Sequence, residues 1–522
     1  MEHQPLTLPR RYAATAVVCS GFFLLGLDLT VLNVAIPDIQ RRLEPSIAQV
    51  QWIIDGYALV LGGTVLALGA ATDRIGRRRA FVIGLALCGA TGVIGAVASN
   101  PAQIIAARCG MGAGAALLMP ATLSVVTDLF PEPALRRRAI ALWAAVGSAG
   151  GIAGPLIGGR LVEDFSWRAG FWINLPVAAV VIALAMRLVP ESRAARPARI
   201  DVPGAMLSTG GLLALVWAII EAPARGWASG PVITGYTVAA LLLCAFVTHQ
   251  SRAAEPMLPL RLLATGRIRA GACALAVTSF GVAGALFMMT LYLQTILGYS
   301  PWQAGLHTLP LLAALGVGAV LALPLLARGD ELVPITLGLA LMTAAFAVMA
   351  GTGTTSAYPR LALFQVIAGL ATGLVAASGT EAVMKAVPSH QTGLGSAIND
   401  ASRQIGSSLG VAVQGSLLTT VFTSHVETLA GAGHLPPDAL HHLAAGTVRG
   451  ARPDGDAEPL REGLVTTAQQ AFIDGMTSAA TAAGAVTLAA TLAAAYVLIR
   501  SNRPEEQDKP ALRPHAMTPA DG

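Results

Sequence analysis

Gly21–Pro37 reads GFFLLGLDLTVLNVAIP, a long apolar stretch with a single carboxylate, Asp28, near its middle. Apolar runs of about 20 residues are typical of membrane-spanning helices. An acidic side chain inside such a helix is unfavourable by about 2.5–3.5 kcal/mol on insertion scales. Ionisable residues at such positions commonly mark functional sites, so the sequence predicts a role for Asp28 that offsets this energy.

The composition of the whole chain agrees with a membrane protein of many helices. Of the 522 residues, 54% are hydrophobic and only 12% are charged, whereas soluble chains carry about 25% charge. The net charge of +5 does not gather into a basic patch with interleaved aromatics, so nucleic acid is not an expected partner. The five cysteines form no CxxC pair, which favours small buried side chains and predicts no metal site.

Polar breaks between apolar runs predict fourteen membrane-spanning helices, and hence an all-α chain. Six precede residue 190, two fall between residues 203 and 248, and six follow residue 270. The predicted helices span about 12–36, 51–71, 80–98, 103–128, 139–162, 169–189, 203–221, 231–248, 270–296, 303–326, 333–351, 359–384, 395–422 and 473–499.

The basic residues of the loops predict the orientation. If the N-terminus is cytoplasmic, the inner segments hold 23 Lys and Arg residues and the short outer segments hold six. Positive residues concentrate in cytoplasmic loops, so both termini are expected inside the cell and the chain in the cytoplasmic membrane. The abundance of Ala, Gly and Arg, with little Lys, indicates a bacterial genome rich in GC.

A weak internal repeat divides the chain. Gly84–Leu87 and Gly338–Leu341 both read GLAL, each after an arginine-containing loop and 254 residues apart. The same offset places the first predicted helix on the ninth, and paired repeats are typical of transporters. The predicted domains are a six-helix bundle at 1–190, two inserted helices with inner linkers at 191–269, a six-helix bundle at 270–500 with a long outer loop at 424–470, and a disordered cytoplasmic tail at 501–522.

Gly69–Arg79 reads GAATDRIGRRR and follows the second predicted helix. Its acid, Asp73, can pair with Arg77 or Arg78 and lock the inner loop in one conformational state. The alternative is a basic anchor with no moving part. The stretch resembles the inner-loop signature of the major facilitator superfamily, except that Ala71 stands where leucine is usual. The resemblance implies a conformational switch formed by Gly69, Asp73, Arg74, Gly76, Arg77 and Arg78.

A second motif lies on the fifth predicted helix, where Gly150–Gly159 reads GGIAGPLIGG. Small residues at helical spacing allow two helix backbones to approach closely, and Pro155 removes one hydrogen bond of the helix. Ordinary packing of small residues is the alternative to a function. The complete pattern resembles the antiporter signature of exporters in this superfamily, carried by Gly150, Gly154, Pro155, Gly158 and Gly159.

Further stretches narrow the resemblance to one branch of the superfamily. Arg108–Ala115 reads RCGMGAGA and is similar to the fourth-helix signature of the same exporters, with Met111 in place of the usual glutamine. The resemblance implies two six-helix bundles around a central cavity, two inserted central helices, and access that alternates as the halves rock. Similarity to the fourteen-helix drug:proton antiporters extends to Leu27–Pro37, Gln51–Leu59, Ser166–Pro176 and Tyr292–Ser300.

Asp28, Asp55 and Arg108 are the candidates for proton coupling and substrate binding. At a rise of 1.5 Å per residue they lie roughly 12, 6 and 8 Å from the outer ends of their predicted helices, and we expect them to share one cavity. Burial disfavours a charged carboxylate and a nearby arginine favours it, so Asp28 is the predicted main carboxylate and Asp55 a second acid. The alternatives are a helix-packing hydrogen bond for Asp28, a hydrated Asp55, and an Arg108 that reaches the membrane surface.

Four weaker candidates have simpler structural explanations. Glu381 can pair with Lys385 four residues later on the same helix. Asp400 and Arg403 are three residues apart and can pair with each other. His307 can titrate near neutral pH, or it can form a structural hydrogen bond.

The sequence therefore predicts a proton-driven secondary exporter of amphipathic drugs or antibiotics, and not an enzyme. It contains no GxxxxGK[ST] loop for ATP, so the proton gradient is the expected energy source and no cofactor is expected. We expect a monomer in the lipid bilayer. The alternatives are an exporter of one endogenous metabolite or natural product and, from another class, a polytopic membrane enzyme, which would need a dense set of catalytic acids or histidines.

Overall fold

The computed structural model describes residues 7–193, 200–263, 265–353, 358–387, 392–431 and 458–501, and the regular elements of these residues are all helices. Fourteen of these helices are long and apolar enough to cross a membrane, which confirms the predicted number. Residues 432–457 of the outer loop and 502–522 of the tail lie outside the described residues, so the disorder of the tail stays a prediction. The helices are α1 Leu8–Leu43, α2 Ile47–Ile75, α3 Arg77–Ala96, α4 Pro101–Leu129, α5 Pro133–Asp164, α6 Ala169–Trp172 with Asn174–Leu188, α7 Val202–Arg225, α8 Gly230–Arg252, α9 Gly266–Leu291 with the π-helical turn Tyr292–Ile296, α10 Pro301–Leu306 with Leu309–Leu326, α11 Leu332–Ala350, α12 Tyr358–Ala386, α13 Thr392–Gly431 and α14 Glu458–Ser501.

Most helices extend past the apolar runs that predicted them, and α13 and α14 include both ends of the predicted outer loop 424–470. α1 continues to Leu43 and α2 begins at Ile47, both outside the predicted limits. Hydropathy detects only the apolar part of a helix, whereas the backbone hydrogen bonds continue into polar sequence. Distances to the observed helix ends are therefore longer than the distances predicted to the ends of the apolar runs. At 1.5 Å per residue, Asp28 lies about 22 Å from the end of α1 and Asp55 about 12 Å from the start of α2.

The two halves of the chain are built alike. In the first half α1 packs on α5, α4 packs on α2 and α3, and α3 packs on α6. The same arrangement recurs eight helices later: α9 packs on α13, α12 on α10 and α11, and α11 on α14. One apolar core lies mainly among α1–α6 and a second mainly among α9–α14. This repeat confirms the predicted all-α architecture of two six-helix bundles.

The inserted helices α7 and α8 pack on each other, and α7 also contacts both halves. It lies beside the line where α2 of the first half meets α13 of the second half, which we call the α2–α13 seam. The Ser208 hydroxyl of α7 donates to the carbonyl oxygen of Gly63 on α2 at 3.4 Å. The Ser416 hydroxyl of α13 donates to the carbonyl oxygen of Ile219 on α7 at 2.8 Å. One inserted helix is thus bonded to both bundles.

The helix ends at the α1–α2 turn, Glu44–Ser46, are called the outer end, following the orientation that the loop charges predict. At this end the two halves contact each other. The amide nitrogen of Gln294 on α9 donates to the carbonyl oxygen of Val34 on α1 at 3.0 Å. The Ser300 hydroxyl, before α10, donates to the carboxylate of Glu163 on α5 at 2.7 Å. The outer ends are therefore closed against each other.

Candidate transport site

The buried guanidinium of Arg108 joins three helices of the first half. Arg108 lies on α4 and is 2% exposed. Its Nε donates to the carbonyl oxygen of Ile53 on α2 at 3.0 Å, and a terminal nitrogen donates to the backbone carbonyl of Asp28 on α1 at 3.1 Å. The guanidinium carbon lies 4.4 Å from the ring centre of Tyr57, a cation–π contact. This burial excludes the alternative in which Arg108 reaches the membrane surface.

The carboxylate of Asp28 lies next to this guanidinium but is not hydrogen-bonded to it. Asp28 is 1% exposed, and neither of its carboxylate oxygens has a hydrogen-bond partner. The charge of Arg108 acts on the carboxylate, and the side-chain amide of Asn174 on α6 lies near it as a longer-range hydrogen-bond donor. A buried carboxylate without hydrogen bonds is unfavourable unless a proton or a cation compensates it. Asp28 is therefore placed where a proton or a cationic ligand can bind beside a fixed positive charge.

The second acid, Asp55, faces a different part of the molecule. It is 1% exposed, which excludes the hydrated alternative, and its carboxylate oxygens also lack partners. Gln51, one turn earlier, donates to the carbonyl oxygen of Val411 on α13 at 3.2 Å. Residues four apart share a helix face, so Asp55 lies on the face of α2 that meets α13. The structure thus brings Asp28 and Arg108 together inside the first half and places Asp55 at the α2–α13 seam.

The predicted switch residues form ion pairs at the inner end. Arg77 pairs with Asp73 at 3.3 Å and with Asp128 at the end of α4. The expected alternative partner, Arg78, instead lies 3.8 Å from Glu191, which also accepts from the Arg78 backbone nitrogen at 3.2 Å. These contacts tie the α2–α3 loop to the inner ends of α4 and α6.

The other three residues of the inner-loop motif, Gly69, Arg74 and Gly76, have different surroundings. Gly76 has a positive φ of 113°, a conformation that favours glycine. A Cβ atom at this position would meet the Glu191 carboxylate at 2.5 Å. Gly69 lies in ordinary contact range of Pro120 on α4, and Arg74 is exposed.

The glycines of the α5 motif divide between two neighbours. Cβ atoms at Gly150, Gly154 and Gly158 would fall against α1. One at Gly159 would fall 2.7 Å from the Pro301 carbonyl oxygen of the second half. The carbonyl oxygen of Pro155 likewise lies against α10, at Gly305. One helix therefore approaches its partner within the bundle and the opposite bundle at the same time.

The weaker candidates form mostly local contacts. Glu381 pairs with Lys385 at 3.3 Å as expected. The expected pair of Asp400 and Arg403 is not among the ion pairs of the described residues: Asp400 is 9% exposed and accepts a hydrogen bond from Asn399 at 3.4 Å, whereas Arg403 is exposed. Arg403 is near enough for its charge to act on Asp400, but the two side chains do not approach to ion-pair distance.

His307 has a structural hydrogen bond. Its Nδ1 lies 2.7 Å from the carbonyl oxygen of Gln303. Its ring lies between those of Tyr299 and Tyr358, with centre distances of 4.5 and 4.4 Å. This geometry supports the structural explanation of His307.

Lys385 also donates to Glu331 at 2.7 Å, at the start of α11. Burial acts to raise the pKa of Glu331, but the bond from Lys385 and the charges of Lys385 and Arg267 outweigh it and hold this pKa below its usual 4.5. A carboxyl group whose pKa is lower in the folded protein stabilises the fold at pH values above its pKa in the unfolded protein. This stabilisation is lost as the pH falls through the pKa of the folded protein. The Lys385 side chain is 40% exposed, so the pair contributes about 1 kcal/mol at most.

We expect Lys385→Met to lower thermal stability in detergent modestly at pH 7, by about 1 kcal/mol or less. The difference from wild type should shrink as pH falls below 4.5, because Glu331 becomes protonated in both proteins. Arg225→Met, which removes an exposed pair with Glu221, is the matched control. A difference that stays constant between pH 7 and the acid range would contradict the assignment.

Sequence reasoning missed four residues of these sites. Tyr57 and Asn174 lie beside Asp28 and Arg108, and Asp128 and Glu191 complete the inner ion pairs. Asn174 could have been found as the single amide in the apolar part of Ser166–Pro176. Asp128 and Glu191 carry no spacing signal that links them to the arginines.

Known proteins resemble this chain along most of its length. Residues 18–411 match the family model of the Major Facilitator Superfamily. The chain is 32% identical over 504 residues to the tetracenomycin C resistance and export protein of Streptomyces glaucescens, which covers 95% of this chain and 93% of the relative. It is 36% identical over 424 residues to the puromycin resistance protein pur8 of Streptomyces alboniger, covering 80% and 82%. It is 31% identical over 489 residues to the multidrug efflux pump LfrA of Mycolicibacterium smegmatis, covering 93% and 95%.

Solved structures agree on the fold. A bacterial homologue of the human lysosomal transporter Spinster, in an inward-facing and unoccupied conformation, superposes with a TM-score of 0.66 at 17% identity. The match covers 95% of this chain and 99% of that one. At this identity the likeness concerns the fold alone. The family match over residues 18–411 and the relatives above 30% identity show that the chain belongs to the major facilitator superfamily.

Proposed function

We propose that the protein is a proton-driven exporter of amphipathic drugs or antibiotics in the bacterial cytoplasmic membrane. The observation that carries the proposal is the Asp28 carboxylate, buried beside Arg108 with no hydrogen-bond partner. The names of the relatives support export of drugs and antibiotics. The family match supports a transporter and not an enzyme.

Coupling follows from competition at one carboxylate. A charged Asp28 attracts a cationic or proton-donating group of a substrate, and a protonated Asp28 does not. Arg108 keeps the charged form accessible in a site where burial alone would disfavour it. Binding of a drug from inside therefore displaces the proton, and binding of a proton from outside displaces the drug. The proton gradient supplies the energy, with no other cofactor.

Alternation of access uses the contacts at the two ends. With both termini cytoplasmic, the end that is closed in this conformation is the outer one. The ion pairs of Arg77 with Asp73 and Asp128 hold the inner loop in this state. Rocking of the two bundles, 1–190 and 270–500, against each other would open the outer end and close the inner end. We propose that a single chain in the bilayer is sufficient, since each half carries its own apolar core.

A dedicated exporter of one natural product is the second candidate. It is favoured by the relatives whose names specify a single antibiotic, tetracenomycin C or puromycin. The multidrug efflux pump among the relatives favours broad specificity. The two candidates share a mechanism and differ in the range of substrates, so one assay can separate them.

Substrate-driven proton release in proteoliposomes tests the function. Wild-type protein should release protons on addition of several drugs from a panel of cations and neutral polyketide-like compounds. The Asp28→Asn protein should still insert into the membrane but release about tenfold fewer protons, or fewer still, because the substitution removes the titrating group. A tenfold loss corresponds to about 1.4 kcal/mol. Asp164→Asn, which alters an exposed acid at the outer end, is the control.

The possible outcomes of this assay are distinct. Proton release with only one compound would favour the dedicated exporter. Release with none, from protein that is folded and inserted, would contradict proton-coupled drug export. An unchanged Asp28→Asn would remove Asp28 from the mechanism and leave Asp55 as the next carboxylate to test.

A further inference from the structure

The face of α2 that meets α13 carries one acid. Gln51, Asp55 and Gly62 lie within one narrow stripe of the helix, since their spacing returns to nearly the same angle at 100° per residue. Gln51 donates to the carbonyl oxygens of Val411 and Ala412, both at 3.2 Å. A Cβ atom at Gly62 would lie 2.8 Å from the Cβ of Gln404. Contacts on both sides of Asp55 thus direct it at α13.

The facing stripe of α13 carries one hydroxyl. Gln404, Ser408 and Val411 share a face by the same angular argument. The two helices run antiparallel, because the earlier residue of α2 meets the later residue of α13. The register places Ser408 opposite Asp55. Ser408 is 0% exposed and its hydroxyl, like both Asp55 oxygens, has no hydrogen-bond partner.

No charged group compensates Asp55 within the described residues. Its helix packs against α1, α3, α4, α7 and α13. None of the ion pairs or hydrogen bonds of the described residues involves its carboxylate. The side-chain nitrogens of Arg108 donate to backbone carbonyls instead. Arg108 and Cys109 of α4 lie against α2 at Ile53 and Gly56, and Asp28 of α1 lies beside Arg108. The other charged groups on these helices have partners or surroundings elsewhere: Arg77 of α3 pairs with Asp73 and Asp128, Glu221 of α7 pairs with Arg225, Asp400 accepts from Asn399, and Arg403 is exposed.

A charged carboxylate in this closed position is strongly disfavoured, because it is buried without a cation or a donor. A neutral carboxyl is different, since it carries one O–H donor that a hydroxyl oxygen can accept. Asp55 and Ser408 are not hydrogen-bonded to each other in this conformation, but a neutral carboxyl and a hydroxyl on facing stripes can form that bond by rotation of their side chains. The outer-closed conformation therefore favours a proton on Asp55.

We propose that the protonation state of Asp55 controls closure of the α2–α13 seam. The protonated carboxyl donates to Ser408 and allows the outer ends to close, and the deprotonated carboxylate opens the seam to water. The inference rests on the proposed antiport and assigns separate roles to the two acids. Asp28 binds the exchanged ligand or proton within the first half, and Asp55 links protonation to the position of the second half. The direction is that required of an exporter, because the protonated carrier returns to the inward-facing state.

Distances between spin labels at the outer end test this proposal without any drug. Labels at Ala102, the exposed start of α4, and Ser424, the exposed end of α13, are attached in a background whose native cysteines are replaced by serine. In lipid nanodiscs the wild type should show the short distance at low pH and a growing population of a longer distance as pH rises. Asp55→Asn should keep the short distance at every pH.

Two further variants define the roles. Asp28→Asn should retain the pH-dependent opening. Ser408→Ala should shift its midpoint to lower pH, because the protonated form loses its acceptor. Opening of Asp55→Asn with the wild-type pH profile, or loss of the profile in Asp28→Asn instead, would overturn the assignment. Because no drug or gradient is present, these results are independent of the proton-release assay, whose failure would concern the antiport itself.

Discussion

Gly150→Ala is expected to abolish transport, whereas Gly151→Ala, one residue later, is expected to leave it close to wild type. A Cβ atom at Gly150 would overlap the carbonyl oxygen of Phe23 on α1, and backbone atoms cannot move aside as a flexible side chain can. At Gly151 the nearest atom is the carbonyl oxygen of Gly26 at 4.0 Å. Overpacking of this kind costs about 1–3 kcal/mol or more, and here it separates two helices that the motif holds together.

The measurement is drug-driven proton release together with thermal stability of the purified protein in detergent. Both should fall for Gly150→Ala and neither for Gly151→Ala, although the two substitutions add the same methyl group to the same helix. Equal behaviour of the two variants would show that α5 does not approach α1 as described. Unchanged stability with lost transport would indicate that the close approach serves movement and not folding.

Arg108→Leu should give the second large effect, a loss of transport of about 100-fold or more. The substitution removes two charge-assisted hydrogen bonds to backbone carbonyls, each contributing about 1.5–3 kcal/mol. It also leaves Asp28 without its neighbouring positive charge. Arg108→Lys keeps a charge but presents a point donor instead of a planar fork, so we expect an intermediate loss of about tenfold.

Arg160→Leu is the matched control for this series. Arg160 is 59% exposed and pairs only with Asp164 four residues later among the described ion pairs, so its removal should change transport by less than about twofold. Transport is compared at equal amounts of inserted protein. A lysine variant as inactive as Arg108→Leu would indicate that hydrogen-bond geometry matters more than charge. An active Arg108→Leu would remove Arg108 from the coupling mechanism.

Much of the fold could be predicted because membrane helices are marked by long apolar runs. The number of helices follows from apolar length, and the two halves with an inserted pair follow from the internal repeat and the order of the helices. Helix ends could not, because α1 continues through polar sequence to Leu43. Backbone hydrogen bonds extend a helix beyond the bilayer without leaving a trace in hydropathy.

The sequence identified the charged residues of the candidate site, but it predicted their arrangement in space only in part. Asp28 and Arg108 stand out as charges inside apolar runs, and the structure places them together. The surroundings of Asp55 depend on which face of α2 meets another helix, and one acid in an apolar run does not reveal that face. Spacing placed Asp400 and Arg403 near enough to interact, but it could not show that their side chains stay beyond ion-pair distance.

The double attachment of α7 has a mechanical consequence. Any rocking of one bundle against the other must shear one of the two surfaces that α7 touches. On the α13 side, the Ser416 hydroxyl donates to the carbonyl oxygen of Ile219 on α7 at 2.8 Å. The indole nitrogen of Trp227, just beyond the end of α7, donates to the Thr420 hydroxyl at 3.3 Å. On the α2 side, the Ser208 bond to Gly63 at 3.4 Å is the one hydrogen bond with α7 among the described residues, and Gly63 has no side chain to interlock with α7. We therefore expect α7 and α8 to move together with the second bundle and to slide along α2.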